Sequence, residues 1–296
     1  MRDFRWPPPP DGGPRTFGPG PSAPRTGRPT LPQPATELVA TPHGVRLEWL
    51  TTGAGSPTTV FAHGLAGSIA GTRPLGSAVE GRRVFFQFRG HGRSDAPPGP
   101  WTYADLARDL RAVADLSGAT RALGASMGAG ALCRVLAESP GRFERVVFYL
   151  PATIDTAVDD PRLRERIAAL IGAAGEGDVS AVAEAVEYEV PAGLRGTPAV
   201  WAYLRQRIDQ LMRDGLAPPV EDLVGQAAVA DASALAAIEA RALVIGVAGD
   251  DVHPVAVAER LASLLPAASL HVYDHPGVLW SARADLRERI ARFLNG

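Results

Sequence analysis

Gly124-Ala125-Ser126-Met127-Gly128 reads G-x-S-x-G. It lies between an apolar run, Ala119 to Leu123, and a stretch of small and apolar residues leading through Cys133, Val135 and Leu136. Strand, turn and helix in succession are the context that gives this motif meaning. A serine at so sharp a turn presents its hydroxyl above the end of a sheet. Glycines two residues to either side leave space that a Cβ would block. The Met127 amide then points where negative charge develops on a carbonyl under attack. The chain holds 32 glycines, so the pentapeptide gains weight only if an acid and a histidine follow in the right places.

Outward from it, the pattern is one of short apolar strands and amphipathic helices. Glu37–Thr41 and Val45–Thr52 flank the turn Pro42-His43-Gly44 and predict a hairpin. Thr58–Ala62, Val84–Phe88, Arg145–Leu150, Leu243–Val247 and Leu270–Tyr273 are the further apolar runs, the pattern of parallel strands covered on both faces. Helices are predicted over Tyr103–Leu116, with Thr102 as N-cap and Asp105 three residues on, over Val255–Leu265, and over Ala284–Leu294. The alternation indicates an α/β fold with a doubly wound, mostly parallel sheet over residues 37–150 and 241–296. Between them, residues 151–240 read as an inserted helical cap. Its stripes are Leu163, Ile167, Leu170 and Ile171, then Val179, Val182, Ala185 and Val186, then Val200, Trp201, Leu204, Ile208 and Leu211 after the entry Thr197-Pro198. Trp201 and Met212 are residues that could line a pocket, although spacing does not select them over core packing. Residues 1–36, with Pro7-Pro8-Pro9-Pro10 and many further Pro and Gly, predict a disordered leader without the apolar segment of a secretion signal.

Chain order then supplies the chemistry. Asp250 and Asp251 follow the strand Leu243–Val247, and His275 follows Leu270–Tyr273. Ser126, Asp250, His275 is the order serine, acid, histidine associated with this elbow, and each stands at the carboxyl end of a strand, where open α/β sheets bind ligands. A serine hydroxyl needs a base to accept its proton; a carboxylate holds the imidazole in the right tautomer and stabilises its cation. Adjacent residues of an extended segment point opposite ways, so one of the two acids should reach the histidine. Phe61-Ala62-His63-Gly64-Leu65 runs from a strand into a glycine loop, and the Leu65 amide would face the Met127 amide as a second oxyanion donor. Of the other histidines, His271 lies within a strand, His253 follows the acid loop, and His43 sits in a turn.

With these residues together, the chain resembles a capped bacterial serine esterase or hydrolase of the α/β-hydrolase fold family. The resemblance is carried by His63-Gly64, Arg89-Gly90-His91-Gly92-Arg93-Ser94, the elbow at Ser126, Asp250 with Pro254, and His275. It implies catalytic Ser126, Asp250 and His275, an oxyanion hole from Leu65 and Met127, a supporting loop at His63 and Gly64, a structural role for His91, and the choice of Asp250 over Asp251 by the pattern D-x-x-x-P. The chain departs from the family at Gln87, where an acid is usual, and at Asp274, where glycine precedes the histidine.

The function expected is cleavage of a carboxylic ester, thioester or lactone through an acyl-enzyme, with no cofactor and no metal, on a small-molecule acyl substrate. Hydrolysis of a carbon–carbon bond, cofactor-free perhydrolysis, and ligand reception with little catalysis are the alternatives on the same apparatus. A net charge of −2 supplies no field for nucleic acid, and no apolar run approaches the ~18 residues of a membrane span. All 30 basic residues are arginine, and a single cysteine, Cys133, excludes an internal disulfide; a cytoplasmic location is expected.

Overall fold

The apolar runs pair into one sheet: β1 (Glu37–Ala40), β2 (Arg46–Thr52), β3 (Thr58–Ala62), β4 (Arg82–Phe86), β5 (Arg121–Ala125), β6 (Arg145–Tyr149), β7 (Arg241–Val247) and β8 (Ala268–Tyr273). Their spatial order is β1-β2-β4-β3-β5-β6-β7-β8. The structure is a computed structural model that describes residues 35–156 and 160–296; the leader expected over 1–36 lies outside the described residues apart from its last two positions. β1 and β2 form the expected hairpin. β2 runs antiparallel to β4, and all later pairings are parallel.

The helices of the described residues are α1 (Ile69–Thr72), α2 (Tyr103–Ser117), α3 (Met127–Glu138), α4 (Pro161–Glu176), α5 (Val179–Glu187), α6 (Pro198–Asp214), α7 (Val255–Leu264), α8 (Val278–Ser281) and α9 (Arg283–Asn295). Side chains alternate across each strand, and this sorts the core into two layers. Val60, Ala122, Val146, Phe148 and Val244 face α2, α3 and α7. Phe61, Leu123, Val147 and Ile245 face α9, with its stripe Leu286, Ile290 and Leu294. Both faces of the central strands are therefore dry, and each fully buried Leu, Val or Phe contributes about 1.5–3 kcal/mol.

Boundaries move from the apolar runs for identifiable reasons. β5 starts at Arg121 because the Ala119 N–H is taken by Ala114 O, closing the end of α2 behind the left-handed Gly118. β4 starts at Arg82, since its backbone continues to pair with Thr58 and Thr59 beyond the apolar residues. It ends at Phe86, and the Phe88 N–H donates to His63 Nε2 instead of a strand neighbour.

Between β6 and β7, α4, α5 and α6 pack on one another through Leu170, Val182, Val186, Val200, Leu204 and Leu211. Their entries are capped as their sequences dictate: Asp160, Asp178 and Thr197 accept from backbone N–H groups of the first turns, and Pro198 opens α6. This group rests on the sheet's carboxyl edge through Ala66 and Trp280, whose ring meets Tyr203 edge-on at 5.3 Å.

The loop after β4 is fixed from below by one carboxylate. Asp109, fully buried on α2, accepts from Arg89 Nε at 2.9 Å and Nη2 at 2.8 Å, and pairs with His43 Nε2 at 2.8 Å. Replacing Asp109 by Ala leaves the buried Arg89 charge with only its Asp105 contacts, and we expect a loss of about 3–5 kcal/mol. Urea unfolding of Asp109→Ala measures it; a loss near zero would remove this ion pair from the account of the loop.

Candidate active site

The elbow is built by crowding. A Cβ on Gly124 would lie 2.4 Å from Gly128 O, and one on Gly128 would lie 2.5 Å from Ala62 O and 2.7 Å from His63 O. Both glycines are required by close approach; the positive φ of the turn falls on Ser126 itself, at 50°. A non-glycine residue in such a conformation costs of order 1–3 kcal/mol and persists only where its surroundings hold it. Here the Ser126 N–H is pinned to Tyr149 O at 2.9 Å, and Ser126 O accepts from Ala129 and Gly130 at the start of α3.

The structure brings Ser126 and Asp250 together through His253. Ser126 Oγ lies 2.8 Å from His253 Nε2. His253 Nδ1 lies 3.1 Å from both Asp250 oxygens. An ionised carboxylate only accepts, so the hydrogen is assigned to Nδ1, which leaves Nε2 to accept from the serine hydroxyl. Asp250 Oδ1 also accepts the Val252 N–H at 3.0 Å and the His253 N–H at 2.9 Å. Acid and imidazole thus share one tight turn between β7 and α7. Burial alone pushes the Asp250 carboxyl up, but the His253 ring and these two N–H groups outweigh it and hold the carboxyl below its usual value. Asp251 is exposed, and Asp250 meets an imidazole, but the ring is His253 and not the His275 that one of the two acids was expected to reach.

His275, expected as the base, is not brought to Ser126, and this corrects the expectation from chain order. Its side chain is 51% exposed. Nδ1 bonds Asp274 Oδ1 and Nε2 lies 3.0 Å from Ser281 Oγ. The reason lies at the end of β8. Tyr273 points into the core, with its hydroxyl donating to Asp285 at 2.6 Å, and the chain then turns so that Pro276 and Gly277, not His275, border the cavity. Pro276 approaches Gly249, and Gly277 takes φ 82° against Leu194 of the cap. His271 lies on β8 edge-on to Tyr273.

The other wall of the site is the loop after β3. Gly64 packs against the elbow: a Cβ there would sit 3.2 Å from Ser126 Cβ. Leu65 and Met127 both border the cavity, and among the described residues neither backbone N–H has an acceptor. His63 holds the loop from inside. Its Nδ1 donates to Gly64 O at 2.7 Å and its Nε2 accepts the Phe88 N–H at 3.0 Å. Burial, with the His91 ring close by to oppose a second positive charge, pushes its basicity well below that of a free imidazole. His91 is likewise buried, with Nδ1 donating to Arg89 O at 3.0 Å, and burial lowers its pKa to about 4. Both rings act as neutral struts. Beside Gln87, Glu48 of β2 accepts the Arg93 N–H at 2.8 Å and Arg93 Nε at 3.1 Å.

From above, α4, α5 and α6 border the cavity over Ser126. Neither Trp201 nor Met212 borders it; Tyr203, Gln206, Arg207 and Gln210 of the same helix do. Tyr203, Arg207 and Gln210 stand at i, i+4 and i+7, a polar stripe beside the apolar one. That spacing was readable in the sequence, as was the histidine three residues after Asp250, directly before Pro254. Among the described residues no cluster of His, Cys, Asp or Glu could hold a metal ion, and no helix is long and apolar enough to cross a membrane.

Comparison with known proteins agrees with this architecture. A family described as the alpha/beta hydrolase fold matches residues 57–278. No curated protein matches the chain. Solved structures do. A hydrolase from Pseudomonas aeruginosa PA01 is 25% identical, with a TM-score of 0.68 over 88% of this chain and 98% of its own. The enol-lactonase from Burkholderia xenovorans LB400 is 22% identical, with a TM-score of 0.73 over 88% of this chain and 100% of its own. An esterase from Exiguobacterium antarcticum is 19% identical, with a TM-score of 0.68 over 88% of this chain and 99% of its own.

The neutral histidines below the elbow set a pH dependence of stability. Between the usual imidazole value of 6.5 and about 4, an unfolded chain binds a proton that folded His91 does not. Stability is therefore complete above the upper value and falls as pH drops toward the lower. For His91 alone the loss is roughly 3 kcal/mol, and His63 adds to it. Urea unfolding near pH 7 and near pH 4 should show this loss, and His91→Gln should make it smaller; a stability that rises on acidification would contradict the neutral assignment.

Proposed function

We propose that this chain, which belongs to the α/β-hydrolase fold family, is a serine hydrolase that cleaves a carboxylic ester, thioester or lactone through an acyl-enzyme. The observation that carries this reading is the 2.8 Å contact between Ser126 Oγ and His253 Nε2, with Asp250 behind the ring.

Ser126 Oγ attacks the substrate carbonyl as its proton passes to His253 Nε2. Asp250 keeps Nδ1 protonated and stabilises the imidazolium that forms. The carbonyl oxygen, now negative, accepts from the N–H groups of Leu65 and Met127; each such donor is worth about 3 kcal/mol in the transition state. The imidazolium returns its proton to the leaving oxygen or sulfur. Water then attacks the acyl-enzyme with His253 again as base, and Ser126 is released. His63 and Gly64 shape the oxyanion loop without moving a proton. Cys133 takes no part: it is buried, and burial pushes its thiol up to about 12. A single buried thiol suits a reducing, cytoplasmic compartment. The small-molecule acyl substrate is expected to bind without metal or organic cofactor.

A fluorophosphonate probe and a short acyl ester test this together. We expect the probe to label the native protein at Ser126 and to leave Ser126→Ala unlabelled. Ester turnover should fall about 10⁴- to 10⁶-fold in Ser126→Ala and His253→Ala and on the order of 10⁴-fold in Asp250→Asn. His275→Ala should stay within a few-fold of native. Absence of labelling, or loss of turnover in His275→Ala with His253→Ala active, would overturn the assignment.

A further inference from the structure

Arg207 is the buried charge above the site that hydrolysis of a simple ester does not use. It stands on α6, its side chain 8% exposed, and it borders the cavity that holds Ser126. Glu189 takes one edge of its guanidinium, with Nε at 3.2 Å from both carboxylate oxygens and Nη2 at 3.1 Å from Oε1. The Tyr203 hydroxyl donates to Glu189 Oε2 at 2.5 Å and steadies that carboxylate. Nη1 donates to Gln210 Oε1 at 3.0 Å.

That last bond fixes the Gln210 amide. A guanidinium has donors only, so the oxygen of the carboxamide must face it and Nε2 must face away. Gln210 is 6% exposed and borders the cavity, and its Nε2 has no acceptor among the described residues. A guanidinium has five N–H groups; Glu189 and Gln210 engage Nε, Nη1 and Nη2, and the Tyr203 hydroxyl also lies against the group, so not every Nη hydrogen is taken by a carboxylate or amide oxygen. The Arg207 and Gln210 side chains both line the substrate space, and a donor there that gains an acceptor from a ligand gains free energy. The Arg207 charge also reaches His63 and His91, on the oxyanion-loop side of Ser126.

We propose that Arg207 and Gln210 bind a carboxylate on the acyl portion of the substrate, so that the enzyme selects half-esters, thioesters or lactones of dicarboxylic acids. This rests on the serine-hydrolase reading for the chemistry but not for the binding. Glu189 holds the guanidinium in place by its Nε edge, while the remaining Nη hydrogens and the Gln210 Nε2 hydrogens receive the substrate oxygens.

Two measurements test it separately. The first is turnover of 4-nitrophenyl hydrogen glutarate against 4-nitrophenyl valerate, which differ in the terminal carboxylate. The native enzyme should prefer the anionic ester by about 10- to 100-fold in kcat/KM, the range of a charge-assisted hydrogen bond or two. Arg207→Gln and Gln210→Leu should each shrink that ratio. Gln210→Leu removes no charge and carries the test if Arg207→Gln does not fold. The second is calorimetric binding of glutarate monoamide against valeramide to Ser126→Ala, which needs no chemistry. Selective binding without turnover of any ester would sink the hydrolase reading and keep the anchor. Equal affinity for the two amides, or a native preference for the neutral ester, would overturn the anchor.

Discussion

The approach of the elbow to the end of β3 is the constraint on which the site depends. Gly128 lies against the carbonyls of Ala62 and His63, and Gly124 against Gly128, at distances no Cβ could share. This packing lets α3 start directly beneath the sheet's carboxyl edge and leaves Ser126 to absorb the unfavourable φ of 50°. It also brings two loops face to face, because the same β3 end continues into His63, Gly64 and Leu65. Ser126 and the loop that carries Leu65 are therefore placed by one contact and not by two independent ones. The buried imidazoles of His63 and His91 and the Arg89–Asp109 pair hold the lower side of that contact without competing as proton carriers.

Much of this was legible because it is local. The strands announce themselves as apolar runs, α2 by Thr102 and Asp105, and α6 by Thr197-Pro198; the G-x-S-x-G stretch carries its own steric explanation. Sheet order was not local, since nothing within β3 or β4 says that β4 lies between β2 and β3. The partner of Arg93 was not local either. The departure at Gln87 is visible in sequence, but the carboxylate that holds Arg93, Glu48, comes from a strand about forty-five residues away.

The histidine beside Ser126 shows where chain order misleads. Ser126, Asp250 and His275 follow the usual succession, and every one stands at the correct edge of the sheet. Chain order constrains which edge a residue occupies but not where its ring points. Three residues after Asp250, His253 is close enough for the turn itself to join acid and ring, with Asp250 Oδ1 accepting the His253 backbone N–H as well as facing its Nδ1. Such a pair needs no long-range agreement between β7 and β8 to stay in register. Its orientation is set by an Asx-type turn, and only its approach to Ser126 depends on the sheet.

Placing acid and imidazole on one turn also changes what the β8 end does. With His275 turned outward, Pro276 and Gly277 occupy the inner side of that turn, and α8 follows at once. Gly277 packs against Leu194, and Trp280 against Tyr203, so this segment becomes a support for the α4–α6 group. Tyr203 in turn holds Glu189, and Glu189 holds Arg207. The outward histidine and the ordered polar stripe over the cavity are thus parts of one arrangement: the segment whose histidine turns away from Ser126 is shaped to hold the wall above the cavity.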